Sequence, residues 1–184
     1  MRTTVILSAV LIFLYGPTFS QVKDKPFPEM KTLTLEAQTI YLPKDSKGKF
    51  TLLGMAFSKK SENALNSWFQ PIYDKFLSAG TGDMGSMFGG FGYDVNVYFV
   101  PMFTGVKTAA TKTAMKKAIK HIHPSMQKYI LFYKGKLKPY KNSLNFEERD
   151  VPYFFVLDEK GIIRYATSGT YTNAKMTQIE AVLE

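Results

Sequence analysis

The chain has 184 residues, a formal net charge of +9 and no cysteine. This length is enough for one domain with a sizeable core, and fifteen phenylalanines, eleven tyrosines and nine methionines supply its apolar mass. Because thiol–disulfide exchange needs a thiolate, the absence of cysteine excludes disulfide oxidoreductase and cysteine peroxidase activity by these residues.

The first twenty residues have the pattern of a secretory signal peptide. Arg2 precedes an apolar stretch from Val5 to Tyr15, which is shorter than the ~20 residues that span a bilayer. An uncleaved N-terminal anchor is the alternative. We expect export to the periplasm or the extracellular space of a bacterial cell. The chain is therefore predicted to contain a signal peptide, an extended lead-in and a domain: residues 1–20, 21–31 and 32–184.

After the lead-in, the hydrophobic pattern alternates between strand and helix periods. Strands are predicted at 33–42, 50–57, 95–100, 129–133, 153–157 and 162–166, and helices at 61–77, 106–122 and 173–184. In the first helix, Ser61 is the expected N-cap, Pro71 a kink and Gly80 the stop. This order predicts an α/β sandwich with a mixed central sheet flanked by helices and a C-terminal β-hairpin plus helix.

The second helix has a predicted inner and outer face. Its lysines at 112, 116 and 120 are expected to point outward, and its apolar residues inward: Ala110, Ala114, Ala118, Ile119 and Ile122. Before it, residues 80–92 hold six glycines among methionines and phenylalanines, which predicts a flexible loop with apolar tips.

The segment from residue 151 to residue 169 resembles the C-terminal half of thioredoxin-like domains of the TlpA/ResA and AhpC/TSA types. In those domains a Val-Pro with a cis peptide precedes a strand that ends in Asp-x-x-Gly. Here Val151-Pro152 precedes an aromatic strand that ends in Asp158 and Gly161, and Gly169 follows before the last helix. The resemblance implies a thioredoxin-like fold.

The resemblance also implies a redox Cys-x-x-Cys motif at the start of the first helix. Counting forward from Gly48 places the two positions at Lys60 and Asn63. Counting back from Pro71, which resembles the proline of that helix, places them at Asn63 and Asn66. Neither count gives a thiol.

The same C-terminal segment is similar to thioredoxin-like mitochondrial ATP synthase assembly factors. The similarity covers the aromatic strand and Asp158, followed by Ile163-Arg164-Tyr165-Ala166 and a glycine, with Phe57-Ser58 and Ser67-Trp68 further upstream. It implies that a thioredoxin scaffold can serve as an assembly or chaperone module.

In active relatives the cis-proline and the start of the first helix hold an extended peptide. We expect that surface to remain as a groove for an envelope protein or peptide, in a non-redox binding or assembly module. No catalytic residue, metal or cofactor is predicted. The expected groove residues are Ser58, Lys60, Asn63, Asn66, Val151 and Pro152.

Two alternatives remain from the residues themselves. An enzyme with non-thiol chemistry would have to use Glu62, Asp83, His121 and His123, which form no recognisable triad or carboxylate pair. A copper carrier would have to use these histidines, or thioether ligands from Met84, Met87 and Met102. Without a metal, the two histidines are a cationic helix C-terminus.

Positive charge is concentrated in the middle of the chain. Between Asp94 and Glu147 there are ten lysines and no acid, and Lys112, Lys116 and Lys120 stack on one helix face. This face either meets an anionic surface, such as lipid headgroups, acidic polysaccharide or an acidic protein, or is a solubilising face. A nucleic-acid partner is not expected, because lysine without arginine is poor at base and bidentate phosphate recognition.

Overall fold

A computed structural model of the chain describes residues 21–78 and 93–184. The predicted signal peptide, the glycine-rich segment 80–92 with Met84 and Met87, and the expected helix stop at Gly80 lie outside these residues. Within the described ranges, no helix is both long enough and apolar enough to cross a membrane.

The described residues form strands and helices in alternation. The strands are β1 (Met30–Leu33), β2 (Thr39–Leu42), β3 (Phe50–Ala56), β4 (Val95–Thr104), β5 (Phe132–Gly135), β6 (Tyr153–Leu157) and β7 (Ile163–Ser168). The α-helices are α1 (Lys59–Ile72), α2 (Thr111–His121), α3 (Pro124–Gln127), α4 (Lys138–Ser143) and α5 (Asn173–Leu183). A π-helical turn (Tyr73–Leu77) extends α1 just beyond Pro71, and a 3₁₀ segment (Gly105–Ala110) precedes α2.

The strands form one sheet of seven, in the order β2-β1-β5-β4-β3-β6-β7. The central strands β3, β4 and β5 are parallel, and the outer pairings are antiparallel. This arrangement confirms the predicted α/β sandwich with a mixed central sheet and a C-terminal hairpin plus helix.

The two central faces of the sheet have separate cores because neighbouring residues of a strand point to opposite sides. Leu52 and Phe154 face α1 and α5, whereas Leu53 and Phe155 face the lead-in and α4. The first core includes Trp68, Ile72, Met176 and Ile179, and the second includes Phe27, Tyr140, Leu144 and Phe146. A third, smaller core joins Met115 of α2 to Leu35, Ile130 and Phe132.

The region 33–42, predicted as one strand, is a hairpin instead. The chain turns after Leu33, where the Thr34 N–H donates to the Gln38 carbonyl at 2.9 Å. Ala37 takes a left-handed conformation with φ +64°, which L-residues rarely adopt. The hairpin pairs β1 with both β2 and β5 and places β2 at one edge of the sheet.

The predicted inner face of the second helix is partly wrong. The α-helix begins only at Thr111, because residues 105–110 wind as a 3₁₀ segment with a different period. Its buried residues are Thr111 and Met115, while Ala110 is exposed and Ile119 is 49% exposed. The lysines at 112, 116 and 120 are exposed as predicted.

The turn between β6 and β7 is held by Asp158. Its Oδ1 accepts the backbone N–H groups of Lys160 and Ile162, each at 2.9 Å, and its Oδ2 accepts Arg164 Nε at 2.9 Å. Burial alone would raise the pKa of Asp158, but the hydrogen bonds from Ile162, Lys160 and Arg164 outweigh it and lower the pKa below its ordinary value.

We expect Asp158→Asn to lower the free energy of unfolding by about 1 kcal/mol at pH 7 and by less in acid. Because the folded-state pKa is lowered, the carboxylate's contribution is complete above the unfolded value of about 4 and is lost as the pH falls through the folded value. Urea unfolding at pH 7 and near pH 2 measures the difference, with Glu159→Gln as the control for loss of a neighbouring exposed carboxylate. A deficit of the same size at both pH values would contradict the assignment.

Candidate functional site

The start of α1, where the resemblance places a redox pair, is closed by two serines. Ser58 is the N-cap, and its Oγ accepts the Ser61 N–H at 3.0 Å. Ser61 Oγ accepts the Ser58 N–H at 2.9 Å and the Phe57 N–H at 3.1 Å. Both residues are buried, and the two hydroxyl oxygens lie 3.2 Å apart. This reciprocal capping gives hydrogen-bond partners to the N–H groups of Ser58 and Ser61 at the helix start.

Aromatic packing beneath the two serines fixes this end of the helix. The Phe57 ring stacks on Phe146, with centroids 5.1 Å apart, and on Tyr153, with centroids 6.1 Å apart. Tyr153 Oη in turn donates to the Glu148 carbonyl at 2.9 Å and accepts the Glu148 N–H at 2.7 Å. The segment that precedes β6 is thereby joined to the start of α1.

Sequence counting missed these two serines as the pair at the helix start. Ser61 was expected to be the N-cap but occupies the third helical position, and Ser58 takes the cap. Both counts assumed a fixed distance from a glycine or a proline, whereas the capping hydrogen bonds set where the helix begins. The available signal was the Ser-x-x-Ser spacing directly after an apolar strand.

The peptide bond before Pro152 differs from the one that the resemblance implies. Leu42–Pro43 is the cis peptide among the described residues, so Val151–Pro152 is trans. Pro152 is buried, and its carbonyl accepts the Gly169 N–H at 2.9 Å, which continues the pairing of β6 with β7. The expectation of a cis-proline at position 152 was wrong. The peptide bond has the ordinary trans form, and the carbonyl of Pro152 takes part in the pairing of the hairpin.

The expected groove residues lie on two segments, the start of α1 and the segment before β6. Lys60 Nζ lies 3.7 Å from Asp150 Oδ2, so the exposed first turn of α1 adjoins the segment before β6. Asn63 is exposed on the following turn, and Asn66 is exposed beyond it. In the described part of the chain, no hydrogen bond or ion pair joins either asparagine to Val151 or Pro152. Val151 lines a separate open cavity of about 500 Å³ beside β7 and α5.

His121 and His123 lie at a second cavity, of about 510 Å³, between α1 and the end of α2. Its other lining is mostly apolar and includes Phe69, Tyr73, Phe99 and Met126. His123 Nδ1 accepts the Ser125 N–H at 3.4 Å, so this ring caps α3, and it also lies 2.8 Å from Ser125 Oγ.

The other candidate groups of the two alternatives are scattered. Glu62 pairs with Lys59 at 3.7 Å, Met102 is buried in the core, and Asp83 lies outside the described residues. No cluster of three histidines or carboxylates in the described ranges could hold a metal ion.

A family model described as ATP10 protein matches residues 14–184. The chain belongs to the ATP10 protein family. No curated protein matches it significantly in sequence.

Three solved structures show that the fold of this ATP10-family chain is thioredoxin-like. A putative electron transfer protein from Aquifex aeolicus is 14% identical, with a TM-score of 0.60 over 88% of this chain and 98% of that one. BsSco, a member of the Sco family of cytochrome c oxidase assembly proteins, is 9% identical, with a TM-score of 0.56 over 89% and 98%. Copper-bound yeast Sco1 is 16% identical, with a TM-score of 0.50 over 87% and 90%.

One further polar residue near the site, Lys175, belongs to no sequence motif that would mark it as functional. Lys175 of α5 lines the same cavity as Val151, and its Nζ donates to the carbonyls of Ser168 at 2.7 Å and Thr170 at 2.9 Å. Burial lowers the pKa of Lys175. Its contacts close the turn between β7 and α5, so in this ATP10-family chain the lysine holds the end of the hairpin beside Pro152.

Proposed function

We propose that this ATP10-family chain is a non-redox, protein-binding assembly module of the cell envelope. Its family and its fold are those of proteins with an assembly or redox-related function. The single observation that favours assembly is the pair of capping serines at the start of α1. Ser58 and Ser61 are buried and hydrogen-bonded to each other's backbone, where thiol chemistry would need two cysteines.

The partner surface that we propose is the exposed rim beside these serines. Lys60 and Asn63 extend outward from the first turns of α1, and Asp150 and Val151 lie next to that turn. The buried serines and the aromatic stack of Phe57 hold the rim in place from below. A rim that is already ordered loses little conformational entropy when a partner binds.

The proposed location and partner rest on sequence. The signal-like pattern of residues 1–20 supports export, and the resemblance to ATP synthase assembly factors makes that complex the first partner to test. The partner would be an extended segment of an envelope-exposed or membrane subunit, held along the rim.

The test is deletion of the gene, followed by complementation in the organism that carries it. We expect deletion to reduce the amount of assembled ATP synthase on native gels while respiratory complexes stay unchanged. The wild-type chain should restore assembly, and the double variant Lys60→Glu/Asn63→Arg should not. A photo-crosslinker at position 63 should capture an ATP synthase subunit in the complemented strain.

Lys47→Glu is the matched control. Lys47 is also exposed, and it precedes β3, whereas α1 follows the other end of that strand. This variant should restore assembly fully. A normal amount of assembled ATP synthase in the deletion strain would refute the proposed function. Complementation by Lys60→Glu/Asn63→Arg equal to that by the wild-type chain would refute the proposed surface.

A further inference from the structure

The ten lysines between Asp94 and Glu147 have no acidic partner among the described residues. In residues 21–78 and 93–184, the ion pairs involve Lys49, Lys59, Lys60, Lys75 and Arg164, and none of these ten lysines. All ten are exposed. Their charge is therefore not neutralised by contacts within the described fold.

Helix geometry places an apolar side chain among three of these charges. Lys112, Lys116 and Lys120 follow one another at intervals of four residues, and Ile119 stands three residues after Lys116. Side chains three and four residues apart are neighbours on a helix surface. Ile119 is 49% exposed because the adjoining side of the helix faces the core, where Met115 packs and Thr111 is buried.

A second apolar side chain is exposed just before α2. Val106, in the 3₁₀ segment that leads into the helix, is 95% exposed. The described residues contain three exposed large hydrophobic side chains, and two of them, Val106 and Ile119, lie on this lysine-rich segment. Exposed aliphatic groups together with unpaired lysines are typical of surfaces that bind membrane interfaces.

We propose that the α2 face, defined by Lys112, Lys116, Ile119 and Lys120 and preceded by the exposed Val106, docks on a bilayer surface rich in anionic phospholipid. The lysines attract the headgroups, and the two aliphatic side chains enter the boundary between headgroups and acyl chains. A protein partner fits less well, because protein interfaces are depleted in lysine and enriched in arginine and aromatic residues, which this face lacks.

The α2 face is separate from the proposed partner rim. Met115 anchors α2 over β5 and the β1–β2 turn, whereas α1 packs over β3 and β6 on the other side of β4. The chain could therefore hold a protein segment at α1 while α2 rests on lipid. The membrane proposal does not depend on the proposed function and can fail or succeed without it.

The first experiment is co-sedimentation of residues 21–184 with vesicles of phosphatidylcholine alone or with one third phosphatidylglycerol. We expect binding to the anionic vesicles only, with affinity falling as salt rises. Lys112→Gln/Lys116→Gln/Lys120→Gln should weaken it by about 100-fold. The matched control, Lys44→Gln/Lys47→Gln/Lys160→Gln, removes the same charge from turns that also carry Asp45 and Glu159, and should bind nearly as wild type.

The second experiment uses the absence of cysteine. Ile119→Cys creates a unique attachment point for a polarity-sensitive fluorophore, and Tyr41→Cys gives the same label at an exposed apolar position on β2. Anionic vesicles should shift the emission of the label at position 119 towards the blue and leave the label at position 41 unchanged. The circular dichroism spectrum checks that each variant is folded.

Three outcomes would overturn the proposal. They are no binding to anionic vesicles, equal weakening by the two triple variants, and an unchanged emission at position 119 when the chain is bound. Binding of soluble polyglutamate as tight as binding of vesicles, with no emission shift at position 119 on either, would assign the face to an acidic protein instead.

Discussion

Replacing Trp68 by alanine is expected to remove a large part of the stability of this chain, about two fifths of it at the middle of the two ranges below. The side chain is fully buried, and its ring stacks on Phe154 with centroids 4.0 Å apart. It also packs edge-on against Tyr171 with centroids 5.4 Å apart, and Nε1 donates to the Gly169 carbonyl at 3.0 Å. Truncating a buried tryptophan costs about 3–5 kcal/mol, against a total of about 5–15 kcal/mol for a domain.

The loss of this side chain should also loosen the proposed site, because Trp68 joins three elements of the fold. It holds α1 against β6 and against the turn that leads into α5. Urea unfolding followed by circular dichroism measures the loss. Trp68→Phe keeps one aromatic ring against Phe154 but loses the second ring of the indole and the hydrogen bond to Gly169, so it should cost less than alanine, about 1–3 kcal/mol. An alanine variant within 1 kcal/mol of wild type would show that the core does not depend on this ring.

The sequence predicted the parts of the fold in which pattern and packing agree. The strand at 153–157 has the observed bounds of β6, because its continuous apolar run is buried on both faces. The Asp-x-x-Gly turn after it was predicted as well, since Gly161 adopts φ +84°, which glycine tolerates. The hairpin at 33–42 was missed because an alanine with positive φ leaves no signal in the sequence.

Errors in the helices have a different cause, namely where each helix begins. The chain winds as a 3₁₀ segment up to residue 110, and in the α-helix that follows Met115 is buried and Ile119, predicted to face inward, is exposed. At α1 the start is set by hydrogen bonds between Ser58 and Ser61, which counting from Gly48 or Pro71 cannot detect. A periodic pattern predicts that a helix exists better than it predicts the helix's first residue.

The sequence predicted where in the fold the candidate site lies, but not the contacts within it. The resemblance directed attention to the first helix and to Pro152, which the structure joins through Phe57, Tyr153 and the Lys60–Asp150 pair. The trans peptide at Pro152 and the carbonyl contacts of Lys175 depend on the pairing of β6 with β7 and on the turn after it. Such long-range contacts have no local sequence signature.

Changing both serines, Ser58→Cys/Ser61→Cys, is expected to give the chain a thiol pair capable of disulfide exchange, for which the wild-type sequence has no cysteine. The two hydroxyl oxygens already lie 3.2 Å apart at a helix start, and the N–H of residue 61 points at the side chain of residue 58. A helix N-terminus stabilises a thiolate, so the thiol at position 58 should titrate below the ordinary value of about 8.5. Loss of the two capping hydrogen bonds should lower the free energy of unfolding by about 1–2 kcal/mol, and the variant should still fold.

Three measurements check this result: the pH dependence of alkylation by iodoacetamide, the mass change on oxidation, and the equilibrium with a glutathione buffer. Lys60→Cys/Asn63→Cys is the matched control, since it has the same spacing on exposed positions and follows one of the counts from sequence. We expect an ordinary thiol pKa there and a disulfide that glutathione reduces more easily. If the control pair had the lowered pKa and the serine positions gave unreactive thiols, Ser58 and Ser61 would be a structural cap and not the place of the redox pair. A lowered pKa at position 58 would instead support Ser58 and Ser61 as the positions that correspond to the redox pair of the resemblance.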